Sequence, residues 1–181
     1  MKSSIKKITG MVLLVATLFS CNQGPSLQTY YVDNQEQPNF LSIDVPLSML
    51  NIDKMQLSED QKNAYESIKK LNMLAYKIKA DNMDDYEAKL TEISTILADP
   101  KYQELMRGGN PEDGKFIVKF LGEEDDVDEF IVFGNSDDKG FIVVRILGKE
   151  MNPNKIMSLV STLDKASIDD SQLNQFKAFF N

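Results

Sequence analysis

The chain has 181 residues, with 28 acidic side chains against 20 basic ones, a single cysteine and no histidine. That length allows one domain or two small ones, and a lone cysteine excludes any intramolecular disulfide. Without histidine the usual neutral metal ligand and general base are missing, and without a second cysteine so are zinc-finger, iron–sulfur and Cys–His nucleophile arrangements.

Lys2, Lys6 and Lys7 form a positive start, and Ile8 to Phe19 form an apolar stretch. This is the pattern of a signal peptide, and it falls short of the roughly 20 residues that a membrane span needs. Leu18-Phe19-Ser20-Cys21 follows. This tetrapeptide resembles the lipobox of bacterial lipoproteins, with a large apolar residue at −3 and a small one at −1. The resemblance implies a diacylglycerol thioether on Cys21 and cleavage after Ser20. Residues 1–20 are then a signal peptide, and the bilayer is the first partner, through acylated Cys21. Each buried methylene contributes about 0.8 kcal/mol, so two or three acyl chains on one residue make release rare. Losing the leader leaves 17 basic against 28 acidic side chains, a charge of −11. Such a surface repels nucleic acid and anionic lipid headgroups, and no nucleic-acid partner is expected.

Asn22 to Pro38 is rich in Gln, Asn, Ser, Gly and Pro. With so little to bury, residues 21–38 read as a disordered tether with a reach of roughly 20–25 Å, and Tyr30-Tyr31-Val32 as its one sticky spot. No acidic run follows Cys21, and the first acid is Asp33. Surface-exported lipoproteins of the Bacteroidota often carry such a run, so its lack points to an outer-membrane lipoprotein facing the periplasm.

Residues 39–181 are expected to form one α+β domain, an antiparallel β-sheet packed by amphipathic helices. Phe40 to Val45 is a short β-like run closed by Pro46, and Leu47 to Met55 reads as a turn of helix and a loop. Ser58, with Gln61 three residues on, predicts a capped helix whose apolar positions are Ala64, Tyr65, Ile68 and Leu71. Leu71 to Ile78 looks more like a strand. Asp81 or Asn82 can cap a further helix with a stripe of Met83, Tyr86, Leu90, Ile93 and Ile96 or Leu97, stopped by Asp99-Pro100.

Tyr102 to Met106 starts the sheet again, ending at Gly108-Gly109. Strands at Lys115–Leu121, Asp128–Phe133 and Phe141–Leu147 follow, joined by turn-rich loops, which predicts a C-terminal meander of three to four strands. Asn152-Pro153 opens a helix with Ile156, Leu159, Val160 and Leu163 on its apolar face. Asp169, Asp170 or Ser171 opens a last one carrying Leu173, Phe176, Phe179 and Phe180.

The run Asp99-Pro100-Lys101-Tyr102-Gln103-Glu104-Leu105-Met106, then Phe116–Leu121, Asp128–Phe133 and Gly140–Leu147, resembles a family of Bacteroidota lipoproteins called domain of unknown function 4252. The similarity extends over Phe40 to Leu163. It implies an envelope lipoprotein with an α+β domain, and it supplies no reaction and no site residues.

Glu123, Glu124, Asp125 and Asp126 could offer oxygens to Ca²⁺, yet their spacing fits no EF-hand, and consecutive acids in a hairpin diverge. Loops that alternate along a meander set them at the end opposite Glu112-Asp113 and Asp137-Asp138. The strands carry a further signal, for they are apolar on both faces: Phe116, Val118 and Phe120 against Ile117 and Leu121, for example. Something must cover the second face. One reading is cover by the C-terminal helices; the other is a dimer or partner surface, for which Ile117, Leu121, Ile131, Phe133, Phe141 and Val143 are the candidates. Arg107, Lys115, Lys119 and Arg145 are expected to make structural ion pairs with Glu104 or Glu129.

No catalytic residue and no cofactor emerge. The expected work is contact with an unknown envelope protein or self-association, or a structural or regulatory role. A small-molecule or Ca²⁺-binding module and, behind it, a carboxylate-based hydrolase are the alternatives.

Overall fold

The computed structural model describes residues 25–47, 56–110 and 114–163, together with Phe179. Ten elements follow in order: α1 (Leu27–Asn34), β1 (Phe40–Val45), α2 (Glu59–Ser67), β2 (Ile68–Lys77), α3 (Met83–Leu97), β3 (Gln103–Asn110), β4 (Gly114–Glu123), β5 (Asp126–Ser136), β6 (Gly140–Met151) and α4 (Pro153–Leu163). The strands make one antiparallel sheet of six, in the order β1-β2-β6-β5-β4-β3. The fold is therefore α+β. Its sheet is wider than a three- or four-strand meander, because β6 pairs on its far side with β2 and β2 with β1.

Local chemistry sets most boundaries. Ser58 and Gln61 form the reciprocal capping box that starts α2. That helix stops at Ser67, and Ile68 and Leu71, placed on it by their spacing, belong to β2 instead. Helical periodicity here continued into a strand because both are apolar on the buried side. Asn152 Oδ1 accepts hydrogen bonds from the Asn154 and Lys155 amides at 3.1 and 3.3 Å, capping α4. Asn82 precedes α3 but turns its amide backwards, accepting from Lys79 N and donating to Lys77 O.

The segment read as a tether contains α1. Ser26 Oγ accepts from Thr29 N at 3.1 Å, and Leu27, Tyr30, Tyr31 and Asn34 recur at helical spacing and are all buried. Composition argued for disorder, but one turn-by-turn stripe of large side chains gains enough burial against the sheet to order the segment.

Each sheet face carries its own pair of helices. On the first, α1 and α3 close over Leu74, Tyr76, Ile131, Phe133, Phe141 and Val143. On the second, α2 and α4 pack at one end over Ile68, Phe120, Phe130, Met151 and Val127. Among the described residues α4 thus covers this face jointly with α2. Met83 and Val160, both expected on buried stripes, are exposed. Leu163's side chain, Leu47–Met55 beyond Leu47, and the last helix apart from helical, half-buried Phe179 lie outside the described residues.

Aromatic rings tie the first face together: Phe141 stacks on Tyr76 at 5.5 Å and Phe40 meets Tyr76 edge-on at 4.9 Å. Tyr30 donates to Lys89 O at 3.2 Å and Tyr76 to Asp85 Oδ2 at 2.7 Å. Burial, joined by the charges of Glu92 and Asp85, pushes the Tyr30 phenol far up; burial and the Asp85 hydrogen bond do the same for Tyr76.

Two outcomes test this packing. Leu27→Ala, at a position 1% exposed, is expected to cost about 2–5 kcal/mol in denaturant unfolding, where a free tether would lose nothing. A raised phenol pKa leaves stability intact below the unfolded-state value, about 10, and removes it as pH climbs toward the folded-state value. The melting temperature should therefore fall above about pH 10, with tyrosinate absorbance rising together with unfolding. Tyr30→Phe should make that fall shallower.

Candidate functional site

β3 forms one margin of the sheet, and Asp99-Pro100 aim it there by ending α3. Asp99 accepts from Lys101 N through its side chain and from Tyr102 N through its carbonyl, both at 3.0 Å. Tyr102 is then buried, its hydroxyl accepting from Leu27 N at 3.1 Å and its carbonyl from Lys119 Nζ at 2.8 Å. The entry to β3 is pinned from both sides. The strand itself is not: Gln103 to Arg107 are all exposed, and no strand pairs with its outer edge among the described residues.

A bulge between Glu104 and Met106 shifts the β3–β4 register by one residue. Glu104 then stands opposite Lys119 and Arg107 opposite Ile117, so side chains three apart share the first face. They meet as a bidentate pair, Arg107 Nε donating to Glu104 Oε1 at 2.5 Å and Nη2 donating to Oε2. The guanidinium holds the Glu104 carboxyl below its ordinary range. Between them Leu105 and Met106 are 38% and 41% exposed, and Phe116 on the neighbouring strand is 39% exposed. Gly109 closes the strand at φ +97°, where a Cβ would lie 2.2 Å from Gly114 O.

The core under α1 and α3 reaches Ile117 and Leu121 of β4 only at its margin, and beyond them the first face of β4 and β3 forms an open groove. One part, of about 410 Å³, is lined by Arg107, Gly109, Lys115, Ile117 and Phe133. An adjoining hollow of about 300 Å³ lies between Ser94 and Leu97 of α3 and Glu104, Arg107 and Lys119. Three cations and one carboxylate therefore rim an apolar floor, in a chain whose overall charge is −8.

A second polar constellation is buried. Arg145, 2% exposed, lies beneath α1 and grips Glu129 through Nε and Nη2 at 2.5 and 3.1 Å. Its Nη1 donates to Gln28 Oε1 at 2.8 Å, and its guanidinium stands 5.9 Å from the Tyr31 ring. Tyr31 also shares a 2.6 Å hydrogen bond with Ser42, and Asn72 donates to Asp44. Partial burial would raise the Asp44 carboxyl, but hydrogen bonds from Lys70 and Asn72 outweigh it and hold the group below its ordinary range. Each guanidinium nitrogen of Arg145 has an acceptor, which marks a structural latch rather than a vacant anion site.

The expected ion pairs Arg107–Glu104 and Arg145–Glu129 both form, while Lys119 bonds a carbonyl instead. Glu123 to Asp126 sit at the β4–β5 turn, at the end of the sheet away from Asp137-Asp138. Among the described residues no group of three or more acidic or cysteine side chains is arranged to hold a metal. The proposed partner surface needs correction. Ile131, Phe133, Phe141 and Val143 are core beneath α1 and α3, with Ile117 and Leu121 packed at its margin. Alternation revealed two apolar faces but could not say which helices close over each, or how far. Leu18 to Cys21 lie outside the described residues. The β3 margin was missed, although two adjacent apolar residues between opposite charges in Glu104-Leu105-Met106-Arg107 break strict alternation and hint at a bulge.

Removing one half of the latch should be severe and removing both mild. Arg145→Met is expected to cost about 3–5 kcal/mol by leaving the Glu129 charge buried alone. Adding Glu129→Leu should recover most of that loss, measured by denaturant unfolding of both variants.

A family described as Domain of unknown function (DUF4252) matches residues 30–159. The match opens inside α1 and closes inside α4, so it takes in all six strands and the helices on both faces. No curated protein and no solved structure shows significant similarity to the chain. On the extent of that match, the chain belongs to the DUF4252 family.

Proposed function

We propose that the chain is a lipid-anchored lipoprotein of the bacterial cell envelope, of the kind the Bacteroidota make, whose domain acts by protein contact and not by catalysis. The observation that carries the contact reading is the open β3 margin, where Leu105, Met106 and Phe116 stay exposed beside a strand edge that no other strand pairs among the described residues. Edge strands are ordinarily kept short, charged or covered, and an apolar one is suited to a partner. Support for the anchor comes from Lys2, Lys6 and Lys7, the apolar stretch to Phe19 and Leu18-Phe19-Ser20-Cys21. The missing acidic run after Cys21 favours the periplasmic side of the outer membrane.

The helix α1 changes the geometry of such an anchor. With Leu27 already packed on the sheet, the stretch from Cys21 to Leu27 spans at most about 20 Å when fully extended. On this reading the domain is held close to the bilayer and its rotation is restricted, where a seventeen-residue linker would have left it free. The groove with Arg107, Lys115 and Lys119 favours a second reading, a binding module for a small anion.

Cys21→Ala is expected to abolish processing after Ser20 and acylation, while the domain keeps its melting temperature. Continued cleavage, with retention in membranes after an alkaline wash, would refute the anchor. Crosslinking of the lipidated chain in cells, followed by mass spectrometry, tests the contact reading. A stoichiometric protein adduct through the β3 margin is expected; an uncrosslinked chain that binds small anions in calorimetry would favour the second reading.

A further inference from the structure

The β3 margin is self-complementary. Turned through a two-fold axis centred between Leu105 and Met106, the segment Glu104-Leu105-Met106-Arg107 meets its own copy antiparallel. In that register Glu104 stands opposite the partner's Arg107, Arg107 opposite the partner's Glu104, and Leu105 opposite the partner's Met106. The bulge is what permits this. By placing Glu104 and Arg107 on the same face despite their odd spacing, it lets opposite charges face each other across the new strand pair rather than point to opposite sides.

We infer that a second copy of this chain occupies the β3 edge, joining two six-stranded sheets into one continuous antiparallel sheet. The inference rests on the contact reading and names its partner. Three observations converge on a second copy. The edge is exposed from Gln103 to Arg107 and has no strand on its outer side among the described residues. Leu105 and Met106 supply exposed apolar surface at the axis itself. The only flanking charges on the strand are one acid and one base, set symmetrically about that axis. A bulge and charges commonly serve to keep edges apart. Here each charge finds its opposite in a copy, and a foreign strand would have to supply the same pattern in reverse. Confinement of anchored chains to one bilayer raises their effective concentration and favours pairing.

The intrachain Glu104–Arg107 pair is the competitor, since it uses the same groups within one strand. A charge swap between chains separates the two. Glu104→Arg gives a chain with two cations on the edge, and Arg107→Glu a chain with two anions. Each breaks the intrachain pair, and each faces like charges in its own dimer. The lipidated chains are purified in detergent and their mass followed by light scattering over a range of concentrations. The wild type is expected to dimerise, and each reversal to weaken dimerisation about tenfold or more. An equimolar mixture of the two variants should recover wild-type dimerisation as a heterodimer, captured through a tag on one of them. Equal melting temperatures of the separate variants would show that both fold.

A wild type that stays monomeric throughout overturns the proposal, as does a dimer indifferent to both reversals. Failure of the mixture to pair, when each variant is monomeric, assigns the loss to the broken intrachain pair and overturns it too. If the wild type is monomeric alone yet crosslinks in cells to a different protein, the contact reading stands and the second copy does not.

Discussion

Strands that are apolar on both faces cannot be left with one side in water. Exposing Phe141, Val143 and Phe133 or, on the other side, Phe120 and Phe130 would forfeit the burial that offsets the entropy of ordering the sheet. Cover is therefore needed on both sides, and the chain threads helices before, between and after its strands to supply it over the first face and one end of the second. The segments α1 and α3 serve one face, α2 and α4 the other. Neither pair is contiguous in sequence, so each face depends on chain segments far apart.

The first face carries the more demanding part. Arg145 and Glu129 put a full ion pair under α1, with Gln28 and Tyr31 as the groups that complete it. A buried pair contributes little net stability against an apolar substitute, but it penalises any arrangement in which either partner goes unmatched. It thereby specifies where α1 sits. The helix contains eight residues and has little intrinsic reason to form, so both its order and its position come from what lies beneath it. That docking in turn decides how closely an anchor at Cys21 would hold the domain.

Helical cover stops before the β3 margin. Among the described residues the strand pairs only with β4, its apolar residues remain exposed, and the groove beside it gathers Arg107, Lys115 and Lys119 in an otherwise acidic chain. Exposed apolar side chains and an open groove therefore come together at this margin of the sheet. The acidic turns lie elsewhere, Glu123 to Asp126 at one end and Asp137-Asp138 at the other, where they remain solvated.

Read alone, the sequence determined the α+β class, the antiparallel strands around Lys115–Leu121, Asp128–Phe133 and Phe141–Leu147, and the starts of α2 and α4. Those features are encoded locally: alternation, turn residues and the caps Ser58 and Asn152 act within a few residues of themselves. Tertiary structure alone decided that Leu27–Asn34 is a helix, that Ile68 belongs to a strand, and that Ile131, Phe133, Phe141 and Val143 form core instead of a docking surface. It also decided that Glu104 and Arg107 share a face. Each of these depends on which segment meets which, through burial, a buried charge seeking its partner or a one-residue shift in register. A local pattern shows that a face must be covered; only the assembled chain shows by what, and where the cover ends.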